Sequence, residues 1–393
     1  MKMTETFNQH VVKRRNKSLI LHSIKELSPV SRADLASKTG LNKGTVSSLV
    51  NELLEEQLIL ESGPGVSSGG RRPVMLLFNQ SAGYSIGIDI GVNYILATLT
   101  DLQGSICNEK LVKVKKLTFS ETTSMLFQVI DELIESMPSS AYGVVGIGVG
   151  VPGTVSTSGK ILLAPNLKWK DIDLKGVIEE KYKVPVQIEN EANAGAYGEK
   201  KFGAGKEFHN IVYISGGIGI GVGLILNGKL FKGHNGLSGE LGHMTINIDG
   251  PECNCGNKGC WELYASEQAL IKMADESRIF DDGDVTLEQL VKLAEEGNEK
   301  TIAIIEKLAD YLVVGMNNII NTFNPEQIII GNRLAALQHW LEEKLKNQLS
   351  KQVMTAHQKD LELHFSLLEK RSAALGVSAF STEKFLATNI AEG

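Results

Sequence analysis

The stretch from Glu240 to Glu262, ELGHMTINIDGPECNCGNKGCWE, constrains this chain more than any other. It places three of the four cysteines, Cys253, Cys255 and Cys260, within eight residues, with His243 ten residues before the first. Thiolate and imidazole are the ligands of closed tetrahedral zinc sites, and Gly250, Gly256 and Gly259 supply the tight turns that converging ligands need. A disulfide or three idle thiols would use the same residues. Nothing in the sequence suggests export to an oxidising compartment, so the spacing points to one zinc per chain held by His243, Cys253, Cys255 and Cys260. Glu240 and Glu262 bracket the cluster. Spacing alone leaves open whether they support the histidine or face a polar ligand.

A chain of 393 residues can bury a sizeable core and hold two or three domains. The start, MKMTETFNQHVVKRRNKSLILHSI, mixes charge and polarity where a secretory signal has an apolar core. The longest apolar-looking run, Ile211 to Leu226, carries five glycines and does not read as a membrane span. The expectation is a cytoplasmic protein with no membrane contact. Residues 1–75 hold 11 Lys/Arg against 7 Asp/Glu, whereas the remainder holds 29 against 39. A basic head on an acidic body points to a nucleic-acid contact confined to the N-terminus.

That head reads as three helices. Val12, Leu19, Ile20, Ile24 and Leu27 form a stripe over 10–27. Ser31 with Asp34 starts a short helix from Arg32 to Thr39, and Gly40 ends it. Asn42 then caps a third helix, Lys43 to about Gln57, with Val46, Leu49, Val50, Leu53 and Leu54 facing inward. Two helices joined by a glycine-containing turn make a helix-turn-helix. Asn42, Lys43, Thr45, Ser47 and Ser48 at the start of the third helix are of the types that read base edges and hold phosphates. A three-helix bundle with a polar face is the bland alternative. The segment that follows favours DNA: strand Leu58–Leu60, nine Gly, Pro or Ser among twelve residues from Ser62 to Pro73, then strand Val74–Phe78. Strand, loop and strand after a recognition helix form a wing, with Arg71 and Arg72 on a phosphate or in the minor groove.

From Tyr84 the pattern becomes α/β. Tyr84 to Leu99 alternates as two strands joined at Asp89–Asn93, and a second Gly-rich double strand spans Ile211 to Leu230. Two such openings suggest a duplicated α/β domain of the actin and hexokinase kind. Met125 to Met137 reads as a helix, Val144 to Val151 as a buried strand, and Pro185 to Asn190 as a strand running into a helix. Ligands of open α/β sheets bind at the carboxyl ends of strands, which suits Asn190 and Glu191 to a polar ligand, although Glu191 could simply complement the helix dipole. Helices are expected at Thr286–Ala294, Lys300–Phe323, Leu334–Leu349 and Arg371–Ala387, with a strand at Gln327–Gly331. Gly223 to Lys229 imitates a P-loop, but Leu230 stands where magnesium needs a hydroxyl and Asn227-Gly228 is a hairpin turn.

Gly239-Glu240-Leu241-Gly242-His243, followed by Cys-x-Cys-Gly-x-x-Gly-Cys-x-Glu, resembles the signature of the ROK family, which groups repressors, open-reading-frame products and sugar kinases. The resemblance runs from about residue 84 to the C-terminus. Beside the winged helix-turn-helix read from residues 1–78, it implies a two-lobed ROK domain of actin/hexokinase-like α/β fold. The lobes would be 79–190, completed by a C-terminal helix over 371–393, and 191–370, with the zinc motif and dimerisation helices. It also implies sugar contacts from Asn190, Glu191, Glu240, His243 and Glu262, with His243 giving one ring nitrogen to zinc and the other to a sugar hydroxyl.

The nucleotide-binding loops of ROK kinases are altered here. Of the phosphate loops, Asp-x-Gly-Gly-Thr is Asp89-Ile90-Gly91-Val92-Asn93 and Gly-Thr-Gly is Gly217-Ile218-Gly219, and the adenosine-side Gly-Gly is Gly331-Asn332. The kinases' Asn-Asp pair, whose aspartate is the base, is Asn190-Glu191. Valine and isoleucine cannot donate to phosphate, and their bulk blocks close backbone approach. The expectation is a site that binds sugar and has no catalytic residues. The partners would be a palindromic operator DNA bound by a homodimer and a free sugar effector, D-xylose by resemblance, although glucose fits the same contacts. A kinase that also binds DNA, or a repressor controlled by a phosphosugar or a protein partner, are the rival readings.

Overall fold

The computed structural model describes residues 9–64, 73–115, 117–280 and 285–392. Its first module packs helices Gln9–Leu27, Arg32–Thr39 and Lys43–Glu55 against a small sheet ordered Val30–Ser31, Val74–Phe78, Ile59–Pro64. The caps that were legible in the sequence form. The Ser31 hydroxyl accepts from the Asp34 N–H while the Asp34 carboxylate accepts from the Ser31 N–H, and Gly40 ends that helix in the left-handed region at φ 71°. The third helix stops at Glu55, short of Gln57, because Gln57 takes φ 54° and turns the chain into the next strand. Lys17 is buried against Glu56 and Glu52, so the bundle holds its cation inside a carboxylate pair.

Two five-stranded sheets form the body, and they repeat one pairing scheme. The first runs Val186–Asn190, Val144–Val151, Tyr84–Ile90, Tyr94–Asp101, Ile106–Lys113. The second runs Lys229–Leu230, Ile220–Leu226, Ile211–Gly216, Gln327–Gly331, Glu362–Phe365. In each, the opening strand pairs antiparallel with its hairpin partner and parallel with a later strand. Helix Phe119–Glu135, capped by Thr118 and Glu121, covers the first sheet, and helix Glu299–Phe323 lies in the core of the second. Asn227 and Gly228, at φ 53° and 74°, close the hairpin onto Lys229–Leu230, which puts Gly223–Leu226 in a strand and leaves no phosphate loop there.

Helix Glu191–Phe202 and the C-terminal helix Ser372–Glu392 cross in close contact. A Cβ at Gly198 would lie 2.1 Å from the Ser372 carbonyl oxygen, and one at Gly376 would lie 1.8 Å from that of Ala194. Only glycine fits on either side, so the crossing fixes where helix Glu191–Phe202 begins. The C-terminal helix also lies on the first sheet and touches helix Gln9–Leu27. The sequence expectation of a helix over Leu334–Leu349 is corrected: Asn332–Leu337 is a 3₁₀ segment and the α-helix is Gln338–Gln352. Leu334 and Leu337, three apart and both fully buried, suit the three-residue repeat. Among the described residues no helix is long and apolar enough to cross a membrane.

Candidate functional site: a cleft between the lobes beside a Cys and His cluster

Strand Val186–Asn190 ends at the cleft, and helix Glu191–Phe202 starts there. Asn190 caps it, its Oδ1 accepting from the N–H groups of Ala192 and Asn193 at 2.9 and 3.1 Å, while its Nδ2 donates to the Gly153 carbonyl. Its oxygen is thus committed, and one amide hydrogen is left for a ligand. Across the cleft, a compact loop leads from Phe231 and Lys232 to Glu240 and the 3₁₀ turn Leu241–His243. Asn190, Glu191, Glu240, His243 and Glu262 all line one cavity of about 390 Å³, within the range of about 300–1,000 Å³ typical of small-molecule sites.

The same cavity is lined by Val92, Asn93, Gly217, Ile218, Gly219 and Asn332. The altered loops therefore share the space with the polar cluster. Tyr94, which the sequence reading did not single out, covers Gly91: a Cβ there would meet its ring at 2.3 Å. Its hydroxyl donates to Asp89 Oδ2 at 2.7 Å. Asp89 is buried, and its other oxygen has no partner among the described residues. Burial pushes the Asp89 carboxyl up to about 7. Burial, and then the charge of Asp89, push Glu191 up to about 8 against the Ser215 hydroxyl that donates to it. Asn332 donates to the Ser215 oxygen at 3.1 Å. Asp89 was visible in the sequence as the first residue of the altered Asp-x-Gly-Gly-Thr loop and as a lone carboxylate in the apolar strand YSIGIDI.

Arg333, which also lines the cavity with the buried Glu267, makes a bidentate pair with that carboxylate at 2.9 and 2.7 Å and reaches Glu288 at 2.6 Å. Nothing in the sequence linked these three residues. Glu240 is exposed to the cavity, and its carboxylate lies 3.9 Å from His243 Nε2. Glu262 Oε1 lies 3.3 Å from His243 Nδ1. Glu262 Oε2 also lies close to Gly219, where a Cβ would meet it at 2.6 Å.

One donor atom each from His243, Cys253, Cys255 and Cys260 lie within 4.8 Å of one another. The Cys255 and Cys260 sulfurs are 3.6 Å apart, and Cys253 Sγ is 3.6 Å from His243 Nδ1. Thiolates on a tetrahedral ion with bonds of about 2.3 Å lie about 3.8 Å apart, so the donor set fits a metal ion. The Nδ1 edge of His243 faces the cysteines and Nε2 faces Glu240. Cys107 stands apart and exposed.

In the N-terminal module Asn42, Lys43 and Ser48 are exposed and Thr45 and Ser47 half-buried, all on the first turns of helix Lys43–Glu55. Asn42 Oδ1 accepts from the Thr45 N–H at 2.8 Å, so its oxygen serves the helix and only its amide hydrogens face outward. Strands Ile59–Pro64 and Val74–Phe78 pair antiparallel as a wing. Arg71 and Arg72 lie outside the described residues.

The ROK family model matches residues 85–384. The chain belongs to the ROK family. The xylose repressor of Bacillus spizizenii is 47% identical over 379 residues, which is 96% of this chain and 98% of that protein. The crystal structure of a ROK family transcriptional regulator, a homologue of the E. coli MLC protein, matches with a TM-score of 0.82 at 26% identity, covering 98% of this chain and 100% of that one. A ROK glucokinase from Streptomyces griseus, in complex with glucose and AMPPNP, matches with a TM-score of 0.71 at 26% identity, covering 77% of this chain and 100% of its own. The two-lobed ROK body is thus common to a regulator and a kinase, and the regulator's likeness extends over nearly the whole of this chain.

Proposed function

We propose that this ROK protein is a transcriptional repressor of sugar-utilisation genes, xylose foremost, that a free sugar releases from its operator and that phosphorylates nothing. The observation that carries this reading is the make-up of one cavity. Polar groups of Asn190, Glu191, Glu240, His243 and Glu262 line it together with Val92 and Ile218, which stand at the phosphate-loop positions of the kinases, and Asn332, which stands at the adenosine-side one. A near full-length relative named as a xylose repressor supports the effector. The chain is divided for these tasks into a winged helix-turn-helix over 1–78 and two lobes over 79–190 and 191–370, the first completed by 371–393.

The sugar bridges Asn190 and Glu191 on one side and Glu240, His243 and Glu262 on the other. It binds fully only when the cleft is closed, and a ligand shifts an equilibrium only by its differential affinity for the two states. Moving the population from about 1:99 to 99:1 takes about 5.5 kcal/mol. Hydrogen bonds to charged groups, at about 1.5–3 kcal/mol each, supply that. Glu191 reads differently from a base: with burial holding its proton near neutral pH, it can donate to a sugar oxygen instead of accepting. His243, Cys253, Cys255 and Cys260 would hold one zinc, which supplies a rigid anchor for the His243 ring. Its Nε2 is then left for a sugar hydroxyl.

The repressor acts in the cytoplasm as a homodimer on a palindromic operator, because one recognition helix reads only a few base pairs and two-fold pairing doubles that reading. Asn42, Lys43, Thr45, Ser47 and Ser48 face the major groove, and Arg71 and Arg72 carry the wing's phosphate contacts. Titrating the operator complex with a panel of free sugars and sugar phosphates, without ATP, tests the reading. Release by D-xylose is expected. Release only by a phosphosugar, or no release by free sugar until ATP is added in a parallel titration, would refute it.

A further inference from the structure

Glu189 and Lys232 join the two sheets one residue away from the cleft. Glu189 sits in strand Val186–Asn190 of the first sheet and is 6% exposed. Its Oε1 accepts from the Asn190 N–H at 3.1 Å and from Asn193 Nδ2 at 3.2 Å, so it holds the strand-to-helix junction that presents Asn190 and Glu191. Its Oε2 pairs with Lys232, which follows the hairpin of the second sheet. Lys232 in turn holds the loop that carries Glu240. Its carbonyl accepts from the Ser238 N–H at 3.2 Å, and the Ser238 hydroxyl donates to the Phe231 carbonyl at 2.8 Å. Glu240 stands two residues beyond that closure.

The pair also leads away from the cleft. The Lys232 ammonium lies 5.7 Å from the Phe380 ring centroid, and Phe380 stacks on Tyr197 at 4.1 Å. The Tyr197 hydroxyl donates to Glu383, which pairs with Lys201 at 2.6 Å. Phe380 and Glu383 belong to helix Ser372–Glu392, the helix that touches helix Gln9–Leu27 of the DNA-binding module.

We propose that Glu189 and Lys232 are positioning residues for the sugar response: their ion pair favours the arrangement in which both halves of the site reach the sugar, and that sugar-bound arrangement is passed through Phe380 and Tyr197 to the DNA-binding module. This rests on the sugar reading above. The carboxylate of Glu189 is buried with Lys232 as its cation, and such a pair is costly to break from one side only. The informative variants are therefore Lys232→Met, the double variant Glu189→Gln/Lys232→Met, which leaves no buried unpaired charge, and Lys232→Arg, which keeps the cation.

The experiment measures D-xylose affinity by calorimetry and operator affinity by fluorescence anisotropy on the full-length protein. Lys232→Met and the double variant should raise the xylose Kd by about tenfold or more, equivalent to at least ~1.4 kcal/mol. Sugar-free operator affinity should stay at the wild-type value, and Lys232→Arg should restore most of the sugar affinity. Tyr197→Phe should bind xylose normally and need more of it for operator release. Wild-type xylose affinity in the double variant overturns the positioning role, and normal release by Tyr197→Phe overturns the transmission. A wild-type protein that binds no xylose overturns the sugar reading itself and this proposal with it.

Discussion

Replacing Gly219 by Ala should damage the sugar response while sparing the fold. A Cβ at this position would lie 2.6 Å from Glu262 Oε2 and 3.7 Å from its Cδ, and beyond its chain neighbours it meets no other heavy atom of the described residues within 4 Å. The carboxylate must retreat by about 0.8 Å to reach ordinary contact at 3.4 Å. Glu262 is the flexible end of a side chain, so the retreat costs little in stability. A displacement of that size takes a hydrogen bond out of its 2.5–3.2 Å window, and a bond to a charged group is worth about 1.5–3 kcal/mol. The D-xylose Kd should therefore rise by about ten- to a hundred-and-fiftyfold, at about 1.4 kcal/mol per factor of ten. Gly217→Ala is the control, since its Cβ would meet only Asn332, at 3.4 Å and beyond. Calorimetric titration with D-xylose, beside thermal melting and metal analysis, separates the effects. Wild-type xylose affinity in Gly219→Ala would refute the placement of Glu262 on the sugar.

Cys255→Ser should lower both zinc content and sugar response, whereas Cys107→Ser should leave both unchanged; elemental analysis of freshly reduced protein decides, and an absence of zinc in the wild type would remove the metal from the account. Buried Asp89 and half-buried Glu191, raised to about 7 and about 8, hold protons that the unfolded chain has released above its ordinary carboxylate range. Native protein thus binds more protons than unfolded protein between about pH 4 and 8, so the pair's contribution to stability falls as pH rises through that window. Asp89→Asn should flatten this part of the melting-temperature profile relative to wild type, and parallel profiles would contradict it. Arg71→Ala/Arg72→Ala should weaken binding to all DNA sequences and reduce the salt dependence of operator affinity; an unchanged salt slope would remove these arginines from the wing's phosphate contacts.

Much of the fold was legible where local chemistry decides it. Ser31, Asn42 and Thr286 each start a helix with a side-chain cap, and the Asn227-Gly228 turn closes its hairpin, whereas the helix read over Met125–Met137 starts a turn and a half earlier, at the Thr118 cap. Strand Ile106–Lys113 was missed because it is an edge strand with a half-exposed, charged face, and Glu362–Phe365, the opposite sheet's edge, is only four residues long. The start of the helix after Gly331 was misplaced because Leu334 and Leu337 satisfy a 3₁₀ and an α repeat equally well on paper. In the site, His243 and the three cysteines were readable because they lie within one short stretch. Tyr94 over Gly91, Arg333 on Glu267 and Lys232 on Glu189 were not. The two ion pairs join residues 43 and 66 positions apart, and only the sheet order brings them together.

The most direct test of the central claim compares wild type and Glu240→Ala on operator DNA in the presence of D-xylose and without ATP. Wild type should leave the operator and yield no sugar phosphate when ATP is added afterwards. Glu240→Ala should bind the operator with wild-type affinity and remain on it at xylose concentrations that clear the wild type. Release of Glu240→Ala at the wild-type xylose concentration would mean that the sugar acts elsewhere, and formation of xylose phosphate by the wild type would mean that the cleft is still a kinase.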